Sequence, residues 1–146
     1  MAFASEDDIN LHLPDDKLEV DDARYVPLQQ DGERVVRGYL AGHISPDTLA
    51  TWTDPDTTPE VVRAITGRLI AAFYYRLRYS EDGVTDPQYA QVKYNEAIAM
   101  LQGIISGEIT MVEVTDTVGS GRLTSIDFYP NTAANLKPYF TTTMNL

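Results

Sequence analysis

The chain has 146 residues and a mass of 16.3 kDa, room for one hydrophobic core of ordinary size and little for a second. Hydrophobic residues make up 43% and charged residues 23%, which excludes both the apolar poverty of a disordered chain and the excess of a membrane protein. The 22 acids against 11 Lys and Arg give a net charge of -11, which disfavours simple attraction to nucleic acid or anionic lipid. With no cysteine, disulfides, thiolate metal sites and a Cys nucleophile are excluded together.

Residues 1–22 hold eight acids against Lys17, so much of the charge imbalance is at the start of the chain. Met1 to Asp8 has neither a basic start nor a long apolar run, and no secretory signal is expected. Ser5 with Asp8 three residues later has the capping-box pattern, which predicts a short helix over residues 6–12 that Pro14 ends. From about Pro27 to His43, Leu28, Val35, Val36, Tyr39 and Leu40 recur at helical spacing, with Glu33, Arg34 and Arg37 expected on the outer face. Gly42 is expected to supply a left-handed cap there. Ser45 and Pro46 then read as N-cap and first residue of a connecting helix reaching about Trp52.

The turn-forming stretch Thr53 to Pro59 leads into the strongest helix signal, with Thr58 as N-cap and Pro59 as first helical residue. Val62, Ile65, Leu69, Phe73 and Leu77 repeat at three and four residues and predict one apolar stripe on a helix running to about Tyr79. The next helix is expected to start at Asp86 and Pro87, to bury Tyr94, Ala97, Ile98, Leu101 and Ile105, and to close at Gly107. The short connection makes these two helices antiparallel neighbours. After Gly107 the period changes. Ile109 to Thr115 and Leu123 to Tyr129 are β-prone runs around Gly119-Ser120-Gly121, the pattern of a hairpin, and residues 130–146 read as an arm with apolar anchors. The expected fold class is therefore mainly α, an antiparallel helical bundle with long amphipathic helices, in a domain over residues 1–109. A C-terminal β-hairpin and extended arm follow over residues 110–146.

Few residues point to chemistry. His12 and His43 are the only histidines, and without cysteine a zinc site would need carboxylates for its other ligands. Both lie near expected helix ends, where an imidazole can meet helix carbonyls. Asp15 to Asp22 lacks the central glycine and alternating acids of a calcium loop and reads as a solvated acidic surface. No nucleophile elbow, P-loop or dinucleotide fingerprint is present, so no catalytic residue, metal or cofactor is assigned. The one basic and aromatic concentration is Tyr74, Tyr75 and Tyr79 with Arg68, Arg76 and Arg78. It could stack bases, but enrichment in Tyr and Arg is also the mark of protein interfaces. Arg68, Tyr74, Tyr75, Arg76 and Tyr79 are therefore expected at a contact between subunits.

Ser5-Glu6-Asp7-Asp8-Ile9 at a helix start and Gly38-Tyr39-Leu40-Ala41 at the end of the next form the first part of a longer pattern. Thr58-Pro59-Glu60-Val61-Val62-Arg63-Ala64-Ile65 opens a third helix that contains Tyr74-Tyr75-Arg76, and residues 94–108 fill the last. In this order and spacing, residues 3–109 resemble the tailed-phage head-tail connector family, the small adaptors beneath the portal. The resemblance implies a non-enzymatic virion protein, assembled in the host cytoplasm, that forms a homo-oligomeric ring of twelve copies at the head-tail interface. Its partners would be the portal protein on one side and a tail, stopper or neck protein on the other, with DNA passing through the channel without sequence-specific binding and no membrane. The resemblance also implies a terminal docking arm, and the anchors Phe128, Tyr129, Leu136, Tyr139, Phe140 and Leu146 suit docking on the portal. The competing expectation is a small acidic helical protein-binding module of the nucleic-acid-mimic type. A metal-assisted hydrolase using Asp15, Asp16 and the histidines is a third.

Overall fold

A computed structural model describes residues 2–14, 16–81 and 88–111, and these are mainly helical. The short helix α1 (Glu6–Asn10) starts where the capping box predicts. The Ser5 hydroxyl accepts from the Asp8 N–H at 3.2 Å, and an Asp8 carboxylate oxygen accepts from the Ser5 N–H at 2.9 Å. Helix α2 (Tyr25–Leu40) begins two residues before Pro27, which is tolerated because first-turn N–H groups have no intrahelical acceptor. It ends in right-handed geometry at Ala41, with no left-handed glycine, because the His43 and Ile44 N–H groups both close onto the Leu40 carbonyl at 2.8 Å. The expected Gly42 cap is thereby corrected. Helix α3 (Pro46–Thr51) has Ser45 as its N-cap, accepting from the Thr48 N–H, with Pro46 in first place.

Helix α4 (Glu60–Glu81) runs about 33 Å at about 1.5 Å per residue. Its first bond, from the Arg63 N–H, closes onto Pro59, so Pro59 rather than Thr58 stands at the cap position. The Thr58 hydroxyl donates back to the Asp54 carbonyl at 2.8 Å. Helix α5 (Gln88–Ser106) ends at Gly107, whose φ of +82° is the only positive value among the described residues. The Asp86 and Pro87 start signal falls outside the described residues, as does the expected hairpin from residue 112 onward. Of that hairpin's first strand, Ile109 folds back toward Gly103 and Met111 is buried against the bundle.

Helix α4 is the centre of the bundle and packs against α1, α2 and α5. Arg68 faces Glu96, Phe73 faces Tyr94 and Tyr75 faces Tyr89, so α4 and α5 are antiparallel. Because neighbours cover it on several sides, α4 buries more than the predicted stripe. Val62, Ile65 and Leu69 are fully buried, and so are Thr66, Ile70, Ala71 and Ala72, whereas Leu77 at the far end is 39% exposed. One apolar cluster gathers Val36, Leu40, Trp52, Val62, Ile65, Leu69, Leu101 and Ile104, and a second gathers Ile9, Leu13, Leu18, Leu28, Ile70, Tyr74 and Tyr75. On α5 the buried isoleucine is Ile104, with Ile105 exposed, which corrects the expected stripe by one residue.

Glycine permits the two closest helix contacts. A Cβ on Gly67 of α4 would stand 2.6 Å from the Asp8 carbonyl oxygen, so α1 rests on bare helix backbone there. A Cβ on Gly32 of α2 would meet Ile70 Cγ1 at 2.8 Å.

Candidate interaction surfaces

Tyr74, Tyr75, Arg76 and Tyr79 of the expected subunit-contact set lie toward the end of α4 and Arg68 nearer its middle, but much of their surface is already engaged within the chain. Tyr74 and Tyr75 are only 3% and 8% exposed. The Tyr75 ring meets Tyr74 at 6.0 Å, stacks on Tyr79 at 5.9 Å and receives the edge of Tyr89 at 5.2 Å between centroids. The Tyr89 hydroxyl donates to the His12 carbonyl at 3.0 Å, which extends the aromatic group from α4 through α5 to the residues after α1. Arg24 lies 5.2 Å over Tyr74 and Arg76 lies 4.7 Å over Tyr94, while an Arg76 nitrogen donates to Gln91 at 2.9 Å. Arg68 donates to the Ala64 carbonyl at 3.0 Å and stands 3.7 Å from Glu96. Of the five, Arg68, Arg76 and Tyr79 are half-buried and retain surface for a partner.

The acidic start of the chain is only partly a solvated face. Asp8 pairs with Arg63, Asp16 with Arg78 and Asp22 with Arg24, whereas Asp7, Glu19 and Asp21 are exposed. The hydrogen bonds from Arg24 hold the Asp22 carboxyl well below the usual range, at about 2. Backbone N–H donation from Thr57 similarly lowers Asp54. Among the described residues, no group of three or more His, Asp and Glu gathers as a metal site would need, and no helix is long and apolar enough to cross a membrane.

The two histidines differ from expectation in how they meet the helix ends. In each case the backbone N–H reaches a helix carbonyl, from His12 to Ile9 at 3.0 Å and from His43 to Leu40 at 2.8 Å. The His12 side chain is buried beside Gly67. Burial, reinforced by the charges of Arg68 and Lys93, lowers its pKa to about 4 despite the opposing Glu96 and Asp8.

Sequence reasoning missed a seat for residues 2–5. Phe3 is fully buried, edge-on to Trp52 at 5.9 Å and 4.5 Å beneath the Arg37 guanidinium. Its N–H donates to Glu33 at 3.0 Å, and the Ala4 carbonyl accepts from the Gln29 amide at 2.8 Å. Arg37 also donates to the Leu49 and Trp52 carbonyls, clamping α3 and its exit to α2. Glu33, expected on the outer face, is therefore buried, and burial raises its pKa despite the Phe3 N–H and nearby Arg37. A signal existed: Glu33 precedes Val36 by three residues and Leu40 by seven, the spacing of the core face.

A last surface feature is a mostly apolar groove of about 600 Å³ between the start of α2 and the end of α4, lined by Pro27, Leu28, Phe73 and Leu77, with Arg24, Asp31 and Arg76 as its charged residues. Compared with known proteins, the chain matches no family model, no curated protein and no solved structure.

Proposed function

We propose that the chain is a non-enzymatic virion protein that forms the adaptor ring between a phage portal and its tail, stopper or neck protein. The observation that carries this reading is the order in which the connector-like segments fall on the bundle. The capping-box segment starts α1, Gly38 to Ala41 ends α2, Thr58 to Ile65 opens α4, Tyr74 to Arg76 lies within α4, and residues 94–108 form most of α5 and its cap. Long helices packed in this way supply different surfaces on opposite sides of one subunit, as a head-to-tail ring of identical copies requires. A strongly acidic chain would also let DNA phosphates pass through the channel without adhering.

The test is electron microscopy of the purified protein mixed with portal. A ring of twelve copies seated on the portal is expected. A monomeric mass with portal present would overturn the reading and favour the acidic protein-binding module instead. In this reading the segment from residue 110 onward carries the docking arm. Deleting residues 130–146 should abolish portal attachment while leaving the helical circular dichroism unchanged.

A further inference from the structure

We infer that the groove between α2 and α4 seats Asp127-Phe128-Tyr129 from a second copy of this chain. The inference rests on the ring reading above and adds the joint between subunits. The groove has a buried floor at Leu28, 6% exposed, and an open rim at Leu77, 39% exposed. Its volume of about 600 Å³ is within the ~300–1,000 Å³ of ordinary ligand sites and has room for two adjacent aromatic side chains. Arg76 lines it, and among the described residues the partners of this guanidinium are neutral, Gln91 and the Tyr94 ring. The other lining charges have ion-pair partners, Arg24 with Asp22 and Asp31 with Arg34, so Arg76 beside the apolar floor favours an apolar ligand that carries a carboxylate.

Residues 112–146 contain two adjacent aromatic pairs, and their charges distinguish them. Phe128-Tyr129 follows Asp127, which complements Arg76, whereas Tyr139-Phe140 follows Lys137, which Arg76 repels. Reach permits the contact. Met111 belongs to the buried cluster that includes Ile65 near the start of α4, and Ile65 is about 18 Å along the helix from Leu77 at about 1.5 Å per residue. Phe128 is seventeen steps of chain beyond Met111, which can span up to about 56 Å at about 3.3 Å each, well past the chain's own groove. A contact from the tail of one copy to the groove of the next uses two different surfaces, which is the kind of contact that builds a ring when the rotation between copies closes. Phe128 and Tyr129 thus move from the portal-docking set to the subunit joint. Leu136, Tyr139, Phe140 and Leu146 are left for the portal.

The chain has no cysteine of its own, so engineered pairs report the contact cleanly. Full-length Ser80→Cys, at the groove rim, is mixed with full-length Ser125→Cys and oxidised, with exposed Ala50→Cys in place of Ser80→Cys as the control. A cross-linked dimer at least tenfold above the control is expected, falling at least fivefold when the Ser125→Cys copy also carries Asp127→Lys. Yield equal to the control, no response to Asp127→Lys, or closure only within single chains of the Ser80→Cys/Ser125→Cys double variant would overturn the inference. Microscopy of the same samples with portal separates the two readings. Rings without the cross-link remove the seat and leave the ring; cross-linked copies that never form a ring on the portal remove the ring and leave the seat.

Discussion

Glycine-to-alanine exchange at three helical positions applies one chemical change to three different environments. Gly38 is exposed on α2, and nothing lies within 4 Å of where its Cβ would stand. There alanine adds only helix propensity, about 1 kcal/mol of stability. Gly67 gains the same propensity, but its Cβ would be 2.6 Å from the Asp8 carbonyl oxygen, and α1 must retreat by roughly 0.8 Å to restore ordinary contact near 3.4 Å. That retreat is resisted because Asp8 also closes the capping box and pairs with Arg63, and Ile9 is fully buried. Overpacking of this kind costs about 1–3 kcal/mol, so Gly67→Ala should end up to about 2 kcal/mol less stable than the parent and about 1–3 kcal/mol below Gly38→Ala. Gly32→Ala should lie between them, since the obstructing atom is the Ile70 side chain rather than backbone. Urea unfolding followed by far-ultraviolet circular dichroism reads these differences as shifts in midpoint at constant slope. If Gly67→Ala proves as stable as Gly38→Ala, the seating of α1 on α4 is wrong.

Acid should destabilise the fold through His12. Its native pKa of about 4 lies below the ordinary 6.5, so between these values the unfolded chain binds a proton that the native chain does not. Stability should fall as pH drops through that window, by up to about 3 kcal/mol, and His12→Asn should flatten the decline in urea midpoints measured across it. Arg37→Met should lose about 3 kcal/mol, from two charge-assisted hydrogen bonds to the Leu49 and Trp52 carbonyls and the contact over Phe3. Trp52 is the only tryptophan and is 2% exposed, so loosening of this seat is readable as a red shift of its fluorescence; an unshifted spectrum with unchanged stability would refute the clamp.

The helices were legible where local chemistry decides them. Ser5 with Asp8, Ser45 with Pro46, and Gly107 each carry their own instruction within one turn of chain, and each appears in the structure as expected. Tertiary packing decided the rest. Glu33 was placed outside because of its charge, although its register with Val36 and Leu40 put it inside. Its acceptor role becomes visible only when the Phe3 N–H arrives from thirty residues earlier. The helix α4 was legible as a helix but not as the centre of the bundle. A single stripe predicts one neighbour, and nothing local indicates that Gly67 and Gly32 admit α1 and α2 to close contact. The tyrosines show the same limit: composition cannot distinguish a ring kept for a partner from one facing its own chain.

That distinction bears on how copies would join. Tyr74 and Tyr75, with the rings they meet, hold the end of α4 to the start of α5, so contact between subunits must draw on what remains outside. The exposed large apolar side chains are spread over several elements. Leu77, 39% exposed, borders the groove on the α2–α4 side, Tyr89, Val92 and Ile105 lie on α5, and Leu11, Val20, Val26 and Tyr39 stand elsewhere along the chain. Scattered singly, such residues need no explanation, so it is the groove, with its buried floor and its arginine, that singles out one side of the bundle for a proposed joint. The tyrosine group ties the end of α4, which carries one wall of that groove, to the start of α5 and the residues after α1, so in the proposed ring it would hold the groove at a fixed angle to the rest of the subunit.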